Sequence, residues 1–296
     1  MTDAPRFSLI VICRNAARYV VRSLSCIEKQ DFDLKKVEVV FVDDGSTDFS
    51  GDIAARFGTH IPNFKIVRTG AVNGSGCGGA RNHGLKAATG EYVWHIDVDD
   101  MLVPDALSKI DAALSSAEKK DGKPVDVCVL PFKTVRNAGS ARSEELVRPR
   151  FSTMEDIACT AETAWSKILR REVCVELPPS VCGQDCVWWP LQVDRCFVGT
   201  GVGGNAPLYI YDRTNADSIS RTRDWTRSNP RTLEQLAASN EAIGLGLKDR
   251  FFSDALRLIA DMYDMRHVLK TPWAKKSLAI RFNLMYTKMM SGRYSY

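Results

Sequence analysis

The chain has 296 residues, 45% of them hydrophobic and 26% charged, the balance of an ordinary globular protein and not of a disordered or collagen-like one. No window approaches the apolar run that a membrane-spanning helix needs, and the first 20 residues lack the pattern of a secretory signal, so the chain is expected inside the cell. The net charge of +4 belongs to the end of the chain: seven basic and no acidic residues follow Met265, while residues 1–264 carry a net −3, which excludes the basic surface of a nucleic-acid binder from the main body.

The first 130 residues alternate short β-branched runs with helical patterns. Strands are predicted over Phe7–Ile12, Val37–Val42, Phe64–Arg68, Tyr92–Ile96 and Val125–Leu130, and helices over Ala16–Lys29, Asp48–Phe57, Ala80–Ala88 and Pro104–Ala117. Nearly continuous apolar strands between amphipathic helices imply an α/β fold with a mostly parallel central sheet, covered by helices on both faces. Lys133–Arg150 is polar and turn-like, the pattern of a hairpin or a mobile excursion. Helix and strand then mix through Tyr211, a polar stretch over Asn215–Asn229 marks a soft boundary, and residues 231–290 read as mostly helical. The nine cysteines, several inside apolar runs, read as reduced core residues, and Cys174, Cys182, Cys186 and Cys196 lack the paired Cys-x-x-Cys spacing of a zinc site.

Ligands of parallel sheets bind outside the carboxyl ends of the strands, so the loops leaving each strand carry the chemistry. The second strand ends in Asp43-Asp44-Gly45-Ser46-Thr47-Asp48. Two adjacent carboxylates at the mouth of a buried strand need donors, and a ligand with an N–H or ribose hydroxyls is one source. The fourth strand ends in Asp97-Val98-Asp99-Asp100, where alternation puts Asp97 and Asp99 on one side, a hard-oxygen pair suited to Mg²⁺ or Mn²⁺ carrying a phosphate. Asp100 falls on the other side and is read as a cap for the helix opened by Pro104. His95 is read as a core histidine. Between the two acidic clusters, Gly74-Ser75-Gly76-Cys77-Gly78-Gly79 matches the glycine pattern of a dinucleotide-binding turn, and a nicotinamide-dependent oxidoreductase is the reading it supports. The motif follows the third strand and not the first, which counts against that reading.

Taken together, Ser8-Leu9-Ile10-Val11-Ile12-Cys13-Arg14-Asn15, Val42 to Asp48, Ala80-Arg81-Asn82-x-Gly84-Leu85-x-x-Ala88-x-Gly90-Glu91-Tyr92 and Asp97-x-Asp99-Asp100 resemble the family 2 glycosyltransferases, whose fold is the nucleotide-sugar-binding GT-A type. Weaker resemblance runs through Ala164 to Arg171, Gly183-Gln184-Asp185, Tyr209-x-Tyr211-x-Arg213 and Ser218-Ile219-Ser220. Three departures stand out: Arg14 replaces an aromatic residue, the glycine-rich loop is long, and Gln184 replaces a glutamate.

The resemblance implies a catalytic domain over residues 1–220, its nucleotide-sugar half at about 1–130 and its acceptor half at about 131–220, followed by a helical, basic region at 221–296. It implies inverting transfer from a nucleotide-diphosphate sugar, a UDP-sugar foremost, to a hydroxyl of a glycan or lipid-linked saccharide. Ile12, Asn15, Asp43, Asp44, Arg81, Asp97 and Arg213 would bind the donor, Asp99 with Asp97 would ligate Mn²⁺ or Mg²⁺, and Asp185 would be the general base. Trp165 and Lys167 are acceptor-side candidates, and Trp165, Trp188 and Trp189 read either as a stacking wall for acceptor sugars or, the commoner fate of tryptophan, as core packing. A nucleotide-sugar- or glycan-binding protein that has lost catalysis is the alternative that Gln184 keeps open.

The basic terminus carries two apolar stripes, Leu278, Phe282, Met285 and Met289 on one side and Trp273, Ile280 and Leu284 on the other. They suit a peripheral contact with the cytoplasmic leaflet or, equally, a basic helical cap on a soluble protein or a subunit contact, including a homo-oligomer.

Overall fold

In the computed structural model, residues 4–72, 74–138, 141–177, 184–214 and 270–277 are described. The chain divides into two units, Met1–Asn215 and Ala216–Tyr296. Of the second, only residues 270–277 are described, with a helical turn over 272–277. The polar stretch at Asn215–Asn229, the Ser218-Ile219-Ser220 motif and the paired apolar stripes beyond Ser277 lie outside the described residues. No helix among the described residues is long and apolar enough to cross a membrane.

The first unit begins with three β-α repeats. Strand β1 (Phe7–Cys13) leads to α1 (Ala17–Glu28), β2 (Val37–Asp43) to α2 (Ser50–Gly58), and β3 (Phe64–Arg68) to α3 (Gly76–Ala87). Then come β4 (Tyr92–Asp97), a short β5 (Met101–Leu102), α4 (Ala106–Asp121) and β6 (Val127–Val129). Lys133–Arg150 resolves into a hairpin, β7 (Phe132–Ala138) and β8 (Ala141–Val147), with strand pairing running from Phe132↔Val147 to Ala138↔Ala141. The remaining elements are α5 (Met154–Ala158), β9 (Lys167–Arg170), α6 (Gln184–Val193), β10 (Gly199–Gly201) and β11 (Tyr209–Asp212).

The main sheet has seven strands in the order β10-β6-β9-β4-β1-β2-β3, all parallel except β9. Every residue of β1 and β2 is buried, as expected for strands covered on both faces. After β3 the chain returns to the other side of β1 to lay down β4. That reversal makes β1 the switch point of the sheet, with Ile12 opposite both Val42 and Asp97, and Cys13 opposite Asp43. A second sheet, β5-β11-β7-β8, carries Tyr209 and Tyr211.

Two helix boundaries differ from the sequence reading by four residues, the others by one or two. Helix α3 starts at Gly76, four residues before the predicted Ala80, inside a run whose glycines have poor helix propensity. Tertiary hydrogen bonds to its first turn, described below, override that propensity. Helix α4 runs on to Asp121 and ends on Gly122, whose φ of 63° is the left-handed closing conformation.

Helix α3 lies close on β1 and β2. A Cβ on Gly84 would overlap the Ile10 side chain and approach Val42 to 3.1 Å, so a hydrogen is what the contact accommodates. Gly84→Ala is expected to cost about 1–3 kcal/mol, the range for an overpacked core, because both neighbours are β-branched and stiff. Urea unfolding of the two proteins measures it, and an unchanged midpoint would contradict the close packing.

Candidate functional site

The loops after β1 and β2 are knitted together. Asn15, at φ 49°, accepts the Thr47 backbone N–H at 2.7 Å through its side chain, and its own N–H donates to Ser46 Oγ at 3.0 Å. The first turn of α1 is capped from the neighbouring loop, by Ser50 Oγ on the Ala16 N–H and Asp48 Oδ2 on the Ala17 N–H. Gly45, at φ 72°, turns where a Cβ would strike the Ala71 carbonyl.

Asp43 and Asp44 find their donors within the protein. Asp43 Oδ1 accepts the Ser46 N–H at 3.0 Å. Asp44 is buried and accepts from Thr69 Oγ1 at 2.9 Å, from the Ser75 N–H and hydroxyl, and from the Gly76 N–H at 3.1 Å. A protein carboxylate therefore sits on the backbone N–H groups where α3 begins, the place that a dinucleotide fold reserves for pyrophosphate. The nicotinamide reading loses its phosphate cradle on this geometry. Arg14 is exposed and borders the same loop, where a Cβ on Gly74 would lie 2.9 Å from both Arg14 Nη1 and Asp44 Oδ2.

The end of β4 departs from simple alternation. The strand stops at Asp97, residues 98 and 99 form a turn, and the Asp100 N–H closes it on the Asp97 carbonyl at 3.0 Å. Asp97 and Asp99 are half-buried while Asp100 is fully buried. Asp100 does not cap α4 as expected. It accepts the Tyr209 hydroxyl at 2.6 Å and the Asp212 N–H at 2.8 Å, tying β11 to the turn. Burial, with Asp99 and Asp97 close by, pushes its carboxyl well above the usual range.

Arg22, which nothing in the sequence distinguished, donates to the Asp99 carbonyl and pairs with Asp212 at 3.0 Å. Tyr209 in turn accepts the Asp97 N–H at 3.2 Å.

Opposite this turn lies the Arg81 guanidinium, buried on α3 and paired with Asp97 Oδ1 at 2.6 Å. Its Nε and Nη1 have no partner among the described residues, and neither do His95 Nδ1 and Asp185 Oδ1. Burial and the charge of Arg81 hold His95 neutral, with a pKa of about 3. Asp185, in the first turn of α6, is raised to about 6 by desolvation, with Asp97 and Glu162 adding to the shift and Arg81 and Lys167 opposing it. Buried polar atoms without partners among the described residues, on three elements coupled by charge, fit the binding of a polar ligand.

Ile12 is buried under this region, at the last β1 position paired with β4. Arg213 is half-buried just beyond β11, with its guanidinium 5.9 Å from the Tyr211 ring.

The aromatic wall is a correction. Trp165 is 4% exposed, with Tyr209 stacked on it at 4.7 Å and Phe132 edge-on at 4.7 Å. Trp188 and Trp189 are fully buried. Their rings go to core packing, the commoner fate of large aromatics, and leave no face for an acceptor sugar. Lys167 is buried as well, with its ammonium hydrogen-bonded inside the protein, so it does not reach an acceptor.

Tyr209→Phe is expected to cost about 1–3 kcal/mol, since it leaves a buried carboxyl oxygen and the Asp97 N–H without their partner. Thermal and urea unfolding check this, and parental stability would show that the hydrogen bond is dispensable.

The family profile described as Glycosyl transferase family 2 matches residues 8–158. The putative glycosyltransferase EpsH of Bacillus subtilis is 35% identical over 103 residues, 35% of this chain and 28% of that one. The poly(ribitol-phosphate) β-N-acetylglucosaminyltransferase TarS of Staphylococcus aureus is 35% identical over 138 residues, 47% of this chain and 23% of its own. The chain thus spans about a quarter of the length of these two relatives. Among solved structures, residues 1–349 of S. aureus TarS with UDP-GlcNAc align with a TM-score of 0.62 at 18% identity, over 98% of this chain and 93% of that one. The mannosyltransferase PcManGT of Pyrobaculum calidifontis, with GDP-Man and Mn²⁺, aligns with a TM-score of 0.50 at 20% identity, over 98% of this chain and 81% of that one.

Proposed function

The chain belongs to glycosyl transferase family 2, and from that premise we propose that it transfers a sugar, with inversion, from a nucleotide-diphosphate donor to a hydroxyl of a glycan or lipid-linked saccharide. The observation that carries this reading is the ion pair of buried Arg81 with half-buried Asp97 and, in its field, Asp185, a carboxyl with a pKa of about 6 and an unpartnered oxygen. A base near that value is ionised at neutral pH yet basic enough to take a proton in the transition state. The complexes of TarS with UDP and UDP-GlcNAc support UDP as the donor nucleotide.

In this mechanism Asp185 accepts the proton of the acceptor hydroxyl as its oxygen attacks the anomeric carbon. The bond to the diphosphate breaks on the opposite face, and Arg81 meets the charge that develops there through N–H groups already oriented by burial. Arg213 adds charge on the same side. Asp43, Asp44 and Asn15 shape the nucleotide pocket by holding the loops after β1 and β2, with Ile12 as its floor.

Asp97 and Asp99 offer half-buried hard-oxygen donors, and among the described residues no group of three or more acidic, histidine or cysteine side chains is arranged to hold a metal alone. That donor set fits Mg²⁺ or Mn²⁺ bound through one or two carboxylates, with substrate phosphates and water completing the shell. Such a cation would neutralise charge on the leaving diphosphate. The PcManGT complex with Mn²⁺ supports the metal. The basic terminus supports work at the cytoplasmic face of a membrane.

Asp185→Asn is expected to leave UDP binding intact and to lower transfer by at least about 10², the scale for a lost general base. The parental rate should rise with pH through about 6 as Asp185 loses its proton, and that limb should vanish in the variant. Near-normal turnover in the variant would transfer the role to another carboxylate. Asp99→Ala should abolish the Mn²⁺-dependent part of UDP affinity in calorimetry, and an unchanged affinity in Mn²⁺ would remove Asp99 from the metal site.

A further inference from the structure

Lys167 is a buried lysine at the start of β9. Its ammonium donates to the carbonyls of Ala161 and Thr163, the latter at 3.1 Å, and to Ser166 Oγ at 2.9 Å. It also lies 4.3 Å from the centre of the Trp189 ring. Trp189 follows Asp185 by four residues, one turn further along the same face of α6. The Trp189 indole N–H donates to the Ala158 carbonyl at 3.1 Å, which anchors α6 on α5.

We propose that Lys167 is a positioning residue for the transfer reaction, its caged ammonium holding α6 through Trp189 so that Asp185 faces the Arg81–Asp97 pair. The inference rests on the reading of Asp185 as the base and adds the group that sets its place and charge. A methionine of similar length would fill the space but leave the Ala161 and Thr163 carbonyls without this donor and the Trp189 ring without its cation.

Foremost among the charged groups acting on Asp185 are Arg81 on α3, Asp97 on β4, Glu162 in the loop before β9, and Lys167 itself. Arg81 and Lys167 favour the carboxylate, while Asp97 and Glu162 oppose it. Removing Lys167 takes away one of the two foremost cations favouring the carboxylate, and Asp185 holds its proton to higher pH.

The test uses readouts that need no turnover. In the full chain with ¹³C-labelled aspartate carboxyls, the Asp185 resonance is assigned by its loss in Asp185→Asn and titrated in the parent and in Lys167→Met. The expected result is a midpoint moved to higher pH in Lys167→Met, together with faster amide exchange across α6. A titration that superimposes on the parent's overturns the inference, whatever the change in stability.

If Lys167→Met does not fold, Lys167→Arg decides. The charge is kept, but a planar guanidinium cannot reproduce the three hydrogen bonds of the cage. Faster exchange across α6 with unchanged UDP affinity is expected, and parental protection of α6 overturns the inference. Turnover retained by Asp185→Asn would instead overturn the base assignment, so the two failures are distinguishable.

Discussion

A hydrogen bond between two buried side chains, the Tyr209 hydroxyl on Asp100 at 2.6 Å, is the constraint on which the rest of the site depends. Tyr209 belongs to the small sheet and Asp100 to the turn that ends β4 of the large one, so the bond joins the two sheets where the site is built. From it the network runs both ways. Tyr209 accepts the Asp97 N–H, which orients the carboxylate paired with Arg81, and Asp100 accepts the Asp212 N–H, whose side chain is paired with Arg22. A buried polar network of this kind stabilises only when its members are satisfied, which gives it one geometry. Asp97 and Asp99 are consequently presented from a turn held at both ends.

The carboxyl edge of the sheet follows a second logic. Parallel strands end by pointing at helix N-termini and loops rich in unpaired N–H groups, and a carboxylate is the strongest acceptor available for them. Asp43, Asp44 and Asp48 each take this role, on the Ser46 N–H, on Ser75 and Gly76, and on the Ala17 and Ser50 N–H groups. The acidic motif after β2 therefore acts first as the frame of the loops that leave β1, β2 and β3. The buried polar atoms that have no partner among the described residues lie elsewhere, on Arg22, Arg81, His95 and Asp185.

The aromatic residues divide the same way. Trp165, stacked on Tyr209 of the small sheet, and Trp188 and Trp189, on α6, are core. Their effect on the site is through the helix and strands they fix: Trp188 meets the His95 ring edge-on at 6.5 Å, and Trp189 carries Lys167. Rigid packing behind the Asp185 carboxylate keeps its geometry fixed.

The amino-acid sequence by itself determined the β-α repeats, because a strand buried on both faces must be continuously apolar and its helices must be amphipathic. It also determined the family, because the order and spacing of the runs from Ser8 to Asp100 are specific, and it marked Arg81, Asp97, Asp99 and Asp185 as the residues to examine. The start of α3 inside a glycine run was decided by tertiary contacts, since its first N–H groups are satisfied by Asp44, 31 and 32 residues away. So was the turn at residues 98 and 99, which ends the alternation that period-two reasoning assumes. Arg22 carries no local signal, because its partners, Asp99 and Asp212, are 77 and 190 residues distant. The burial of Trp165, Trp188, Trp189 and Lys167 was decided the same way: a side chain's chemistry is written in the sequence, whereas the face it meets exists only once the sheets have packed.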